Sequence, residues 1–134
     1  MERQRTKKAK KVETDHHYEL LIDYDYKFPI LKCIQKWMFK RKFIQTAKFL
    51  TDECYIHFDA IFVIPSTHGL HIYAYIITSF QLDKSHLLFL QTILGDDRNR
   101  CIYNFNRMLL GWKWKYSNVL FQQNEKGKGK TWFI

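Results

Sequence analysis

The clearest periodicity in the chain is the two-residue alternation of 70-LHIYAYII-77, which puts Leu70, Ile72, Ala74 and Ile76 on one face and His71, Tyr73 and Tyr75 on the other. That pattern predicts a strand half-buried on a sheet. Residues 17–24 alternate in the same way, with Leu20, Ile22 and Tyr24 opposite Glu19, Leu21 and Asp23. A third stretch rich in β-branched and aromatic residues, 54–64, reads as a strand that ends at the turn-prone 65-PSTHG-69.

Helical spacing separates these strands. Pro29 suits the first turn of a helix beginning near Ile30, and Ile30, Ile34, Trp37, Met38, Ile44 and Ala47 follow as its apolar stripe, with Arg41 inside it. Asp83 can cap a second helix whose stripe is Leu87, Leu90 and Leu94 and whose natural stop is Gly95. The segment 96-DDRNRCIYNFNR-107 reads as either strand or helix, and 118-NVLFQQ-123 as a strand with 131-TWFI-134 as its hairpin partner. There is no internal repeat. The order β-α-β-β-α-β predicts an α+β fold of ferredoxin-like or RNA-recognition-motif-like (RRM-like) type, an antiparallel sheet with two helices on one face.

Composition narrows the setting. At 134 residues, 46% hydrophobic and 17% aromatic, the chain suits one packed domain over 16–134. Residues 1–15 form a basic arm, in which MERQRTKKAKK carries six cations and no apolar periodicity. No apolar run reaches the ~18 residues of a membrane span and no secretory h-region follows the arm, so a cytoplasmic protein without a membrane partner is expected. Cys33, Cys54 and Cys101 form no CxxC pair, which argues against a disulfide framework or a cysteine zinc site. The formal charge of +9 favours a polyanion, with nucleic acid (DNA or RNA) first, gripped by Lys7, Lys8, Lys10 and Lys11 of the arm and by Lys113 and Lys115. Trp112 and Trp114, alternating with those two lysines, suit either a nucleic-acid grip or a core face.

Against that charge, Asp23 and Asp25 stand out. In a ferredoxin-like sheet the end of the first strand lies beside the start of the third, which brings both aspartates next to Ser66, His68 and His71 on the face away from the helices. A fourth strand antiparallel to the first, starting within 96–104, would reach the same edge. Paired carboxylates repel unless a cation lies between them, and hard oxygen ligands suit Mg²⁺ or Mn²⁺.

The motifs 20-LLIDYDY-26 and 66-STHGLHIYAYI-76 resemble those of the archaeo-eukaryotic primase superfamily: an apolar strand ending in D-x-D, then a serine-containing turn leading to a histidine on a strand. The resemblance covers roughly 18–107. It implies a primase-polymerase-like palm that carries out metal-dependent nucleotidyl transfer in DNA replication. Asp23 and Asp25 would bind metal and act in catalysis with His71, while Ser66, His71, Arg98, Arg100 and Arg107 would hold a nucleoside triphosphate. The family's third acid aligns with Asn104, an oxygen ligand without charge, with Asp96 or Asp97 as substitutes. A protein partner would supply accessory replication functions.

Two other readings fit parts of the pattern. A non-catalytic RRM-like DNA- or RNA-binding protein would use Tyr73 and Tyr75 as a displaced stacking platform, since Leu70 and Ile72 hold the usual aromatic positions. A rolling-circle replication nickase would need a histidine pair at i and i+2; here position i+2 from His71 is Tyr73, and Tyr103 is the available nucleophile.

Overall fold

The alternating segment becomes β3 (Gly69–Thr78), flanked by β1 (His16–Asp25) and β2 (His57–Pro65) in an antiparallel sheet of order β1-β3-β2-β4, where β4 is the short Lys130–Thr131. The structure is a computed structural model and describes residues 15–118 and 129–134. The expected pairing of the first and third strands holds along their whole length, from His16 opposite Thr78 to Asp25 opposite Gly69. With its helices the sheet makes the α+β, ferredoxin-like arrangement that the element order predicts.

The helices are α1 (Lys32–Cys54), α2 (Lys84–Ile93), α3 (Arg98–Leu109) and the single turn α4 (Trp114–Ser117). Leu20, Ile22, Leu70, Ile72, Ala74, Ile76, Ile61 and Val63 form the covered face of the sheet, and α1 and α2 both pack on it. α2 delivers Leu87 and Leu90, with Leu94 just after it, as its stripe predicts, and the Asp83 carboxylate caps it by accepting from the His86 N–H. Gly95 ends it with φ +104°, and a side chain there would strike the Phe39 ring. At the strand junction, a Cβ on Gly69 would overlap the Tyr24 carbonyl, so only glycine lets β3 start against the end of β1.

Three expectations need correction. First, α1 does not bury Ile30, Ile34, Trp37 and Met38. Its core face is Phe39, Phe43, Ala47 and Leu50, while those four are exposed. Leu20, Ile22 and Tyr24 already set the spacing of the core, and rings at 39 and 43 reach it, with Phe39 stacked on Tyr24 at 4.1 Å.

Second, 96–107 contains no strand, because it is mostly α3. The Asp97 carboxylate accepts the Arg100 N–H at 3.1 Å as its cap, and the Asp96–Arg100 pair spans i to i+4. Local capping overrides the aromatic, β-branched run at 101–105.

Third, among the described residues no strand pairs with the outer side of β1, and β4 lies on the far edge beside β2, with Thr131 opposite Phe62. The proposed strand at 118–123 lies outside the described residues except for Asn118, and the arm lies outside them except for Asp15.

Side chains stand where a fourth strand would pair with β1. The Leu21 N–H donates to Gln91 Oε1 at 2.9 Å, the Leu21 carbonyl accepts from Arg100 Nη1 at 2.7 Å, and the Asp23 N–H donates to Asp96 Oδ1 at 2.8 Å. Asn118 ties the group together, accepting from Gln91 Nε2 at 2.9 Å and Arg100 Nη2 at 2.7 Å. Buried backbone groups need partners, and this network supplies those of the open edge.

Candidate functional site: the acidic end of the first strand

The site grows out of register. Asp23 is paired across the sheet with His71, and Asp25 with Gly69, so the D-x-D motif ends beside the start of β3. His71 is buried on the face away from α1, and its Nε2 stands 3.6 Å from Asp23 Oδ1, too far for a hydrogen bond. That Asp23 oxygen is buried and accepts no hydrogen bond.

A cleft of about 340 Å³ opens here, lined by Asp23, Asp25, Asp96 and Asp97, with Lys27 and Arg98 as its cations and Tyr24 and Phe39 as its apolar wall. Burial and neighbouring carboxylates raise the proton affinity of Asp23 and Asp25. Asp23 is pushed up to about 6, first by burial and then by Asp25, with His71 opposing and Asp96 and Asp97 adding smaller repulsions. Burial also raises Asp25, followed by the charge of Asp97, while His68 and His71 pull it down. Asp96 differs: burial raises it, but Arg100 at 2.7 Å and the N–H groups of Asp23 and Asp97 oppose that rise.

The predicted residues divide into two sets. Asp23, Asp25 and His71 come together, with Arg98 exposed at the cleft and Ser66 in the adjoining turn, where its N–H donates to the Gly69 carbonyl at 2.9 Å. Arg100 is elsewhere, spending its guanidinium on Leu21, Asp96 and Asn118 at the edge of β1. Arg107 lies nine residues further along α3, about 14 Å from Arg98 along the axis, with its guanidinium over the Trp112 ring.

Asn104 is 1% exposed, its amide nitrogen points at Asn118, and it does not line the cleft with Asp23 and Asp25. The acid that reaches the pair is Asp97, which the helix cap holds at the cleft. Lys27 was missed in the sequence because a lone lysine between Tyr26 and Phe28 belongs to no motif.

Lys113 and Lys115 are exposed near α4, while Trp114 packs against the core; the arm lysines lie outside the described residues. Tyr103, the nickase nucleophile, is exposed on α3 and is not among the residues lining the cleft. On the open face of the sheet Tyr73 pairs with Phe62, and the Phe62 ring meets Tyr75 edge-on at 6.0 Å, so three aromatics share that face.

Among the described residues no group of three or more His, Cys, Asp or Glu could hold a metal ion. Mg²⁺ does not require one: it is commonly held by one or two carboxylates, with water and substrate phosphates completing the shell. The buried Asp23 oxygen that accepts no hydrogen bond lies at this cleft with Asp25 and Asp97. No helix among the described residues is long and apolar enough to cross a membrane. The chain matches no family model, no curated protein and no solved structure.

Proposed function

We propose that this is a nucleic-acid-binding domain whose acidic cleft takes a divalent cation of the Mg²⁺ or Mn²⁺ class together with the phosphates of a nucleoside triphosphate, for nucleotidyl transfer of the primase-polymerase kind. One observation carries the reading: Asp23, Asp25 and Asp97 converge on a cleft flanked by Lys27 and Arg98, and Asp23 keeps a buried oxygen without a donor. Burying carboxylate charge without a partner costs stability, and a cation would relieve it.

Asp23 and Asp25 would hold the cation, and Asp97, fixed by its capping bond, would add charge at the cleft. When bound, such an ion offsets negative charge on phosphate oxygens. Lys27 and Arg98 are placed to meet the remaining phosphate charge. His71, buried and paired with Asp23 across the sheet, fixes the orientation of that carboxylate and limits water around it.

Calorimetric titration of a nucleoside triphosphate with and without Mg²⁺ or Mn²⁺ tests this. The wild-type chain should bind in a metal-dependent way, and Asp23→Asn with Asp25→Asn should abolish that component while sparing the salt-sensitive binding of nucleic acid. No metal-dependent binding by the wild type would sink the proposal.

The Phe62, Tyr73 and Tyr75 face favours one second reading, a non-catalytic domain that stacks bases. In that case nucleic acid binds equally without metal, and Tyr75→Ala weakens it.

A further inference from the structure

We propose that the outward face of α1 is a docking site for an acidic amphipathic helix of a partner protein. The core consumes one face of α1, at Phe39, Phe43, Ala47 and Leu50. On the opposite side Ile34, Trp37 and Met38 recur at i, i+3 and i+4, all about half exposed or more, and Ile30 in the preceding turn is 94% exposed. A surface helix with one core normally keeps its other side polar, so a second apolar stripe implies a second packing partner. The spacing is that of a helix that anchors on another through i, i+3 and i+4 residues.

Charge selects the partner. Residues 28–51 hold no Asp or Glu, and the exposed cations on or beside the stripe are Arg41, Lys42 and Lys48. Arg41 lies over the Trp37 ring at 5.5 Å and so places a cation directly on the apolar stripe. A second copy of the chain would bring the same cations face to face across a two-fold axis, which disfavours self-association.

Nucleic acid would meet Ile30, Ile34 and Met38, which have no ring to stack on bases. A membrane surface calls for an apolar face sustained along the helix, whereas here the outward side turns polar at Gln45, Lys48 and Asp52. An amphipathic helix with leucines facing the stripe and glutamates facing the lysines matches both the shape and the charge. This surface is separate from the acidic cleft and does not depend on the function proposed for it.

The test titrates the whole chain with a synthetic helical peptide bearing leucines at i, i+3 and i+4 flanked by glutamates, followed by anisotropy of a label on the peptide. Parallel arms use the same peptide with lysines for glutamates, phosphatidylcholine vesicles containing phosphatidylglycerol, and a single-stranded oligonucleotide. The acidic peptide should bind and the lysine version should not. Ile34→Ser with Trp37→Ser should weaken binding about tenfold or more, the effect of losing interface anchors, with an unchanged thermal melt because both positions are exposed. Arg41→Glu with Lys42→Glu, both exposed beside Trp37 and Met38, should weaken it as well. Failure of the acidic peptide to bind, binding unaffected by these substitutions, vesicle binding in its place, or self-association through Trp37 seen by sedimentation would each overturn the proposal.

Discussion

Asp23 and Asp96 sit one hydrogen bond apart at the same end of β1, yet the chain treats them in opposite ways. Asp96 is saturated: it accepts from the Asp23 and Asp97 N–H groups and from Arg100, and its side chain is fully buried. Asp23 has a buried oxygen that accepts nothing, with three other carboxylates raising its proton affinity. A carboxylate given every partner is a structural part. Asp23, with His71 at 3.6 Å and no hydrogen bond to that oxygen, is the carboxylate to which the proposal assigns a ligand. The side-chain network thus meets the outward backbone groups of Leu21 and Asp23, and the acidic tip beyond it is the part to which the proposal assigns a ligand.

The largest expected effect comes from breaking the saturated half. Asp96→Ala leaves Arg100 buried without its counter-charge and strips the Asp23 N–H of its acceptor, so it should cost about 3–5 kcal/mol. Urea unfolding at neutral pH measures it. If the loss is under about 1 kcal/mol, the network is not holding the edge of β1.

The unsaturated half should respond with the opposite sign. Folding raises the Asp23 pKa from 3.8 to about 6, so the folded state holds that proton more tightly than the unfolded chain. Its contribution to stability is full below about pH 4, falls as pH rises to about 6, and is lost above that. Asp23→Asn should therefore stabilise the domain at pH 8, by up to about 3 kcal/mol, and the gain should vanish near pH 4. Melting curves at the two pH values check both sign and window. Destabilisation at pH 8 would mean that the His71 contact outweighs the cost of burying the Asp23 charge.

Much of this was legible in the sequence, and the remainder has physical causes. Strict alternation specified β1 and β3, and with them the Asp23–His71 pairing, because a one-residue slip would turn Leu20 and Ile22 out of the core. Asp83 and Gly95 marked the ends of α2 because caps are local chemistry.

The buried face of α1 was not legible, since the helix carries two apolar stripes and only the sheet decides which one is covered. Nor was α3, whose Ile102, Tyr103 and Phe105 point outward while Asn104 is buried, the reverse of the usual amphipathic order. The capping of the β1 edge by Gln91 and Arg100 depends on residues 70 and 79 positions away, for which local pattern has no signal. The same misreading made Asn104 the third ligand: Asn104→Asp should disturb its contact with Asn118 rather than strengthen metal binding.

The most direct test of the unpartnered carboxylate is to follow the Asp23 side-chain carbon by NMR through a pH titration, with and without Mg²⁺ and a nucleoside triphosphate. The account predicts a midpoint near 6 for the chain alone and a fall well below that when both are added, because a bound cation favours the ionised form. A midpoint near 4 without them, or one near 6 that neither moves, would contradict it.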